Sequence, residues 1–150
     1  VGATLALAYY AYVTIEEGRK NRRKDTIERK LENLYSPLYE ILSGAKFTLW
    51  ETTSERDFVK GFLKDVGPND YVLKDQELRK IHDTIERFSH YMDLDDRREL
   101  TKALRKFELH KLATLGIWYR FFGDGIDPCL DRIARKRERL MMELEKLTAV

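Results

Sequence analysis

The sequence predicts an all-α protein in which an N-terminal membrane helix runs into an antiparallel bundle of four main helices plus one short helix. Three observations lead there: an uncharged apolar opening followed by a block of cations, two long seams of apolar residues at helical spacing, and the lack of a segment read as a strand. Val1 to Ile15 carry no charge, and Arg19-Lys20-Asn21-Arg22-Arg23-Lys24 follows almost at once.

Fifteen residues rise about 22 Å, short of a hydrocarbon core about 30 Å thick. The chain opens without Met, and residues upstream of Val1 are expected to complete the span. Tyr9, Tyr10 and Tyr12 gather beside the charges, where amphipathic rings favour the headgroup level. With Arg19, Lys20, Arg22, Arg23 and Lys24 they form the expected membrane-interface set. Cations clustered after an apolar run mark the cytoplasmic side, so residues 1–18 are assigned as a transmembrane anchor and 19–150 as a cytosolic helical domain. A cleavable signal would carry its cations before the apolar run. Expected localisation is therefore a single-pass membrane protein with its C-terminal domain cytoplasmic. A buried first helix of a soluble protein stays open as the competing reading, since Glu16 and Glu17 lie close to the apolar run.

Ile27, Leu31, Leu34, Leu38, Ile41 and Ala45 then recur at spacings of three and four, with Tyr35, Tyr39 and Leu42 beside them. Pro37 interrupts this seam, because it lacks an amide donor and its ring crowds the carbonyl of Asn33. Two outcomes fit: a kink at Pro37, or a fresh helix capped by Ser36 with Pro37 at its first position. After Thr52 and Thr53, Ser54 is placed to cap the short helix, with Phe58, Phe62, Leu63 and Val66 as its apolar side and Gly67-Pro68-Asn69-Asp70 as its stop.

A third helix opens near Asp75 and carries Leu78, Ile81, Ile85, Phe88 and Met92. Asp93-Leu94-Asp95-Asp96 breaks the chain and sets carboxylates at the positive end of a fourth helix bearing Leu100, Leu104 and Phe107. That helix is expected to continue through the apolar stretch from Leu109 to Phe122 and to end at Gly123-Asp124-Gly125. Asp127-Pro128 reads as N-cap and first position of the last helix, along which Leu130, Ile133, Leu140, Leu144 and Leu147 share a side.

The anchor, its basic flank, Ile27-Glu28 to Leu34 and the stretch Leu34-Tyr35-Ser36-Pro37-Leu38-Tyr39 resemble uncharacterised prokaryotic single-pass membrane proteins with small cytosolic helical domains. The resemblance covers about the first third of the chain. It implies an anchor and an all-helical domain, and it carries no activity or catalytic residue with it.

Charge restricts the function classes. Lys plus Arg number 28 against 26 Asp plus Glu, so no global field draws nucleic acid, and sequence-specific nucleic-acid binding is not expected. The lone Cys129 excludes an internal disulfide, and its place early in the last helix is a weak hint of a lowered thiol pKa against a stronger reading as packing. His82, His90 and His110 form no metal-binding pair, Gly61 and Gly67 lack a phosphate-loop ending, and Asp124 to Asp127 lacks the acids of a calcium loop. No enzyme activity and no cofactor are expected.

Two surface features remain. Arg132, Arg135, Lys136 and Arg139 fall on one face of the last helix, a candidate stripe for anionic headgroups or an acidic partner and, more simply, a solvated face diluted by Glu138, Glu143 and Glu145. Trp118, Tyr119, Arg120 and Phe122 form a candidate partner hot spot, or ordinary core at one end of the bundle. Arg137 falls on the leucine side, where it needs an acid, a route to the bundle edge, or an incompletely buried surface. Function is therefore expected to be that of a membrane-anchored interaction or scaffold module. Its partners would be the lipid bilayer through the first helix and a protein, or a second copy of the chain, through the domain. A membrane-surface regulatory domain using the basic stripe is the alternative, and a helical enzyme is the minor one.

Overall fold

The computed structural model describes residues 2–50 and 54–149, and the side chain of Ser54 is outside that description. The Ser54 cap, with Thr52 and Thr53 before it, therefore lies outside the described residues. The chain is mostly helical and also contains a small three-stranded antiparallel sheet.

Helix α1 runs from Gly2 to Lys30 and passes through one wide turn, Leu31–Tyr35, straight into α2, Ser36–Ala45. The restart capped by Ser36 does not occur. Ser36 keeps helical angles (φ −66°, ψ −46°), and its N–H donates to the Leu31 carbonyl five residues back. A π turn of this kind holds one extra residue and makes room for a proline that cannot donate, so the helix continues without a restart. The extra residue also rotates the downstream face. Leu38, Leu42 and Ala45 become fully buried, whereas Ile41 is only half-buried, and Tyr35 joins Leu31 and Leu34 in the core.

Short helix α3 spans Ser54–Phe62, α4 Asp75–Phe88, α5 Leu94–Ala103 and α6 Gly123–Thr148. In α3 the buried side is Val59, with Leu63 just beyond the end, while Phe58 and Phe62 face outward, against the expected apolar side. Helix α4 opens with the Glu77 carboxylate accepting from the Lys74 N–H at 3.1 Å and buries Leu78, Ile81 and Ile85 as its spacing requires. A tight turn at Ser89–Tyr91 leads to Met92, also buried, and α5 starts after Asp93.

The all-α expectation fails between Leu104 and Phe122. Helix α5 stops at Ala103, and the chain forms a hairpin of β2, Phe107–Leu112, and β3, Gly116–Phe121, in place of a continued helix. Tyr71–Lys74 supplies β1, and the strand order is β1-β3-β2. Gly116, at φ 82° and ψ −154°, occupies a conformation open essentially to glycine alone. That glycine is the corner of the hairpin.

The sheet divides the core. Tyr71, Leu73, Tyr119 and Phe121 look toward the main helical core, while Val72 and Trp118 pack with Trp50, Val59 and Leu63 on the other face. Alternation along each strand produces both faces at once. The start of α6 is likewise earlier than expected. Phe122 precedes the helix and Gly123 opens it, leaving Asp127 and Pro128 inside its early turns. A Cβ on Gly123 would lie 2.3 Å from the Asn69 carbonyl oxygen, so only glycine lets the end of β3 pass this close to the loop before β1.

Gly123→Ala is expected to lower stability by about 2–3 kcal/mol through this backbone clash, which urea unfolding would measure. Alkaline unfolding tests the core beside the wide turn. Burial, with charge repulsion from Asp93 and Asp96, pushes the Tyr35 phenol up to about 12, and its hydroxyl is buried without a hydrogen-bond partner among the described residues. With the folded pKa above the unfolded one, the stability held by the neutral phenol is intact below pH about 10 and declines as pH rises toward 12, by at most about 1.4 kcal/mol per pH unit for one group. Tyr35→Phe should reduce that alkaline decline while costing little at neutral pH.

Candidate functional site

The N-terminal half of α1 stands apart from the domain. From Gly2 to Ile15 nearly every residue is exposed, Leu5, Leu7, Tyr9, Tyr10, Tyr12 and Ile15 among them. Ile27 is the first buried residue of the helix. Helix α6 lies antiparallel beside the other half, since Arg23 of α1 pairs with Glu143, and Arg137 reaches Ser36 at 3.4 Å. Five residues remain between Glu143 and Thr148, a rise of about 8 Å, so α6 ends alongside about residue 18 of α1. The helix thus loses its packing partner at the point where its charges give way to apolar residues.

Arg19, Lys20, Arg22 and Arg23 are exposed and Lys24 is half-buried. At about 100° per residue these five cations cover more than half of the circumference of α1. Glu16 approaches Arg19 at 3.5 Å, Glu143 takes Arg23, and the Arg22 guanidinium donates to the Gly18 carbonyl at 3.3 Å. They form a basic collar between the packed half of the helix and its bare apolar end. No helix among the described residues is long and apolar enough to cross a membrane.

The stripe on α6 is split by α5. Arg132 pairs with Asp96 at 3.2 Å and Lys136 with Asp93 at 3.1 Å, whereas Arg135 and Arg139 are exposed and have no ion-pair partner among the described residues. The stripe runs along α6 and hence along α1, with its distal end far from the collar. Arg137 takes the route to the edge: its guanidinium lies 4.7 Å from the centre of the Tyr39 ring and stays partly exposed.

The aromatic segment is drawn inward. Trp118 is 1% exposed, donates to the Leu115 carbonyl at 3.0 Å and packs on Trp50 at 5.7 Å between ring centres, so it is core and not a surface anchor. Arg120 is held by Asp70, whose carboxylate accepts from the guanidinium at 2.9 and 2.7 Å and from the Gly67 N–H at 2.9 Å. Asp70 also accepts from the Gly123 N–H at 3.4 Å. One buried carboxylate therefore joins the loop before β1, strand β3 and the start of α6. Beside it the Tyr71 hydroxyl donates to Asp127, and the Tyr119 hydroxyl donates to Asp75 at 3.2 Å. Of the four expected hot-spot residues only Phe122 is exposed, about half of it, with the Arg120 guanidinium 5.0 Å from its ring centre.

Burial pushes the Cys129 thiol up, with Glu99 adding to the rise, which is opposite to what a nucleophile at neutral pH needs. His82 and His90 are exposed on separate surfaces of α4 and the turn after it, and His110 lies on β2. Among the described residues no group of histidines, acids and thiol is arranged to hold a metal ion. Asp70 was not singled out from sequence, because its partners Arg120 and Gly123 are fifty or more positions away. Strand β2 was missed too; the alternation of Phe107, Leu109 and Lys111 with Glu108, His110 and Leu112 was the available signal.

Compared with family models, with curated proteins and with solved structures, the chain finds no match. The reading of its surfaces rests on the geometry above.

Asp70→Ala should cost about 3 kcal/mol by taking from the largely buried Arg120 its closest partner and leaving it only Glu108 at 3.4 Å, and adding Arg120→Met should recover part of that loss. Urea unfolding of both variants checks this, since a double variant no more stable than the single one would mean that the clamp does not act through the ion pair.

Proposed function

We propose that this chain is a membrane-tethered interaction module that works by binding and performs no chemistry of its own. In this reading the apolar end of α1 is immersed in the hydrocarbon of a bilayer. The collar from Arg19 to Lys24 sits among anionic headgroups on the cytoplasmic side, and the domain stands in the cytosol. One observation carries the reading: α1 gives up its packing partner and its charges at the same place. A bare helix with Leu5, Leu7, Tyr9, Tyr10, Tyr12 and Ile15 all more than half exposed needs an apolar environment that the domain does not provide. Lipid supplies it, with the tyrosines at the headgroup level and each cation near an acidic leaflet contributing about 1 kcal/mol.

The tether sets where the domain works. Helix α6 leads away from the collar for about 39 Å, so Phe122 and the sheet stand about that far above the bilayer when α1 enters it steeply. That geometry favours binding to a protein at the distal end over docking of the sheet on lipid. It also disfavours the basic stripe as a flat membrane-binding face, since the stripe climbs away from the surface and two of its four cations are paired with α5. Binding in place of catalysis is supported by the state of the reactive groups, with the Cys129 thiol raised and the Asp70 carboxylate occupied by donors.

Cell fractionation tests the tether. The chain is expected to stay with membranes through a high-salt wash and to leave them in detergent. Leu5→Lys with Leu7→Lys, both at exposed positions, should release it without changing its thermal stability, because each cation in the hydrocarbon costs about 2.5–3.5 kcal/mol. Release of the unmodified chain by salt alone, or full retention of the double variant, would contradict the tether.

A further inference from the structure

Strand β2 is an open edge. In the order β1-β3-β2 its outer side carries no strand, and β3 is the only element with which it makes extensive contact among the described residues. Natural edges are usually blunted by a bulge, a proline or charged side chains, lysine above all, since an unpaired row of N–H and C=O groups is a template for another strand. Here the edge is six residues long without proline; its one lysine, Lys111, lies toward the end of the strand, and Phe107 at 47% and Leu109 at 45% stay exposed. We infer that β2 is the interaction surface of this module and that its partner is the β2 strand of a second copy, paired antiparallel about a two-fold axis at Leu109. This deepens the proposed function by naming the partner, and it rests on the reading of the chain as a binding module.

The register follows from the side chains. Directly opposed residues of an antiparallel pair lie on the same face, so a two-fold axis must pass through a residue and cannot pass between two. Centred on Leu109, the pairing sets Leu109 against Leu109, Glu108 against His110 and Phe107 against Lys111. Centred on His110, it would set His110 against His110, Glu108 against Leu112 and Leu109 against Lys111, which leaves both Glu108 and Lys111 opposite leucine, where the Leu109 register leaves only Lys111 opposite an apolar side chain. The Leu109 register also continues the rows already present within one chain. Leu73, Tyr119 and Leu109 stand side by side across β1, β3 and β2, and the partner's Leu109 extends that apolar row. On the opposite face Arg120 stands beside Glu108 at 3.4 Å, the Glu108 carboxylate also lies 3.1 Å from Nε2 of its own chain's His110, and the partner's His110 extends that polar row. The two sheets become one six-stranded sheet.

A single strand pair buries less area than a standard stable interface, so association is expected to be weak in dilute solution and stronger where tethering concentrates the chains. The test is site-directed cross-linking of the full chain in detergent micelles under mild oxidation, with native Cys129 buried and out of reach. Leu109→Cys places the two thiols on the axis, where the Cα separation of paired residues suits a disulfide, and covalent dimers are expected. Lys111→Cys places them about 14 Å apart along the partner strand and should give none. A mixture of Glu108→Cys and His110→Cys chains should give the mixed dimer. Leu109→Lys, an exposed change that sets like charges face to face, should weaken dimerisation about tenfold or more in sedimentation while leaving thermal stability unchanged. Equal cross-linking at positions 109 and 111, a dimer indifferent to Leu109→Lys, or a chain that is monomeric at every concentration would overturn the proposal. A monomer that instead adds a foreign extended peptide along β2 would also overturn it. Because cross-linking reads strand register in micelles, it can fail while the membrane tether stands, and the reverse.

Discussion

A single helix runs from Gly2 to Ala45 without a break, and the rest of the molecule is arranged around the half of it that carries core residues. That continuity depends on the wide turn at Leu31–Tyr35. Pro37 would otherwise confront the Asn33 carbonyl and end the first helix inside the domain. By admitting one more residue, the turn keeps the axis running and swings Leu42 into the place that Ile41 would have taken. Tyr35, Leu38 and Leu42 then meet α4 and α6. The same rod that organises the core extends its apolar end beyond it, so the position of the domain relative to that end is set by helix rigidity with no linker between them.

A second constraint holds the distal end. The Asp70 carboxylate gathers the loop before β1, strand β3 and the first residue of α6, and Gly123 lets those backbones approach. An ion pair this buried stabilises little in net terms, because both charges were stripped of water to form it. Its value lies in geometry: Arg120 is held on one face of the sheet, and its neighbour Glu108 on β2 is aligned beside it. The open edge of β2 is thereby presented in a defined orientation on a rigid sheet.

The helical part was legible because periodicity is a local property. The seams of Ile27 to Ala45 and Leu78 to Ile85 needed only spacing to be read, and the break at Asp93 needed only helix-start chemistry. The turn at Pro37 was not legible, since a proline within a helical seam is equally compatible with a kink, a restart or a wider turn. The sheet was hidden for a different reason. Phe107 to Phe122 has helix-compatible apolar density, and what makes it a hairpin is pairing with Tyr71–Lys74 more than forty positions away, together with one glycine at φ 82°. Of the candidate surfaces, the apolar end and its collar were readable as a charge transition. Burial of Trp118 was one of the two readings its cluster allowed, but its partner Trp50, like the Asp70 that holds Arg120, comes from elsewhere in the chain and was not legible.

The central claim is that α1 passes from lipid to protein surroundings at its basic collar. Spin labels placed one at a time along α1 in liposomes, from Leu5 to Arg29, measure it directly through their relative contact with oxygen, which concentrates in lipid, and with a water-soluble nickel complex. The account predicts lipid contact through Ile15, a change to water across Arg19 to Lys24, and loss of contact with both reagents at Ile27. Nickel contact at Leu5, Leu7 and Tyr12 equal to that at Arg19 would contradict it.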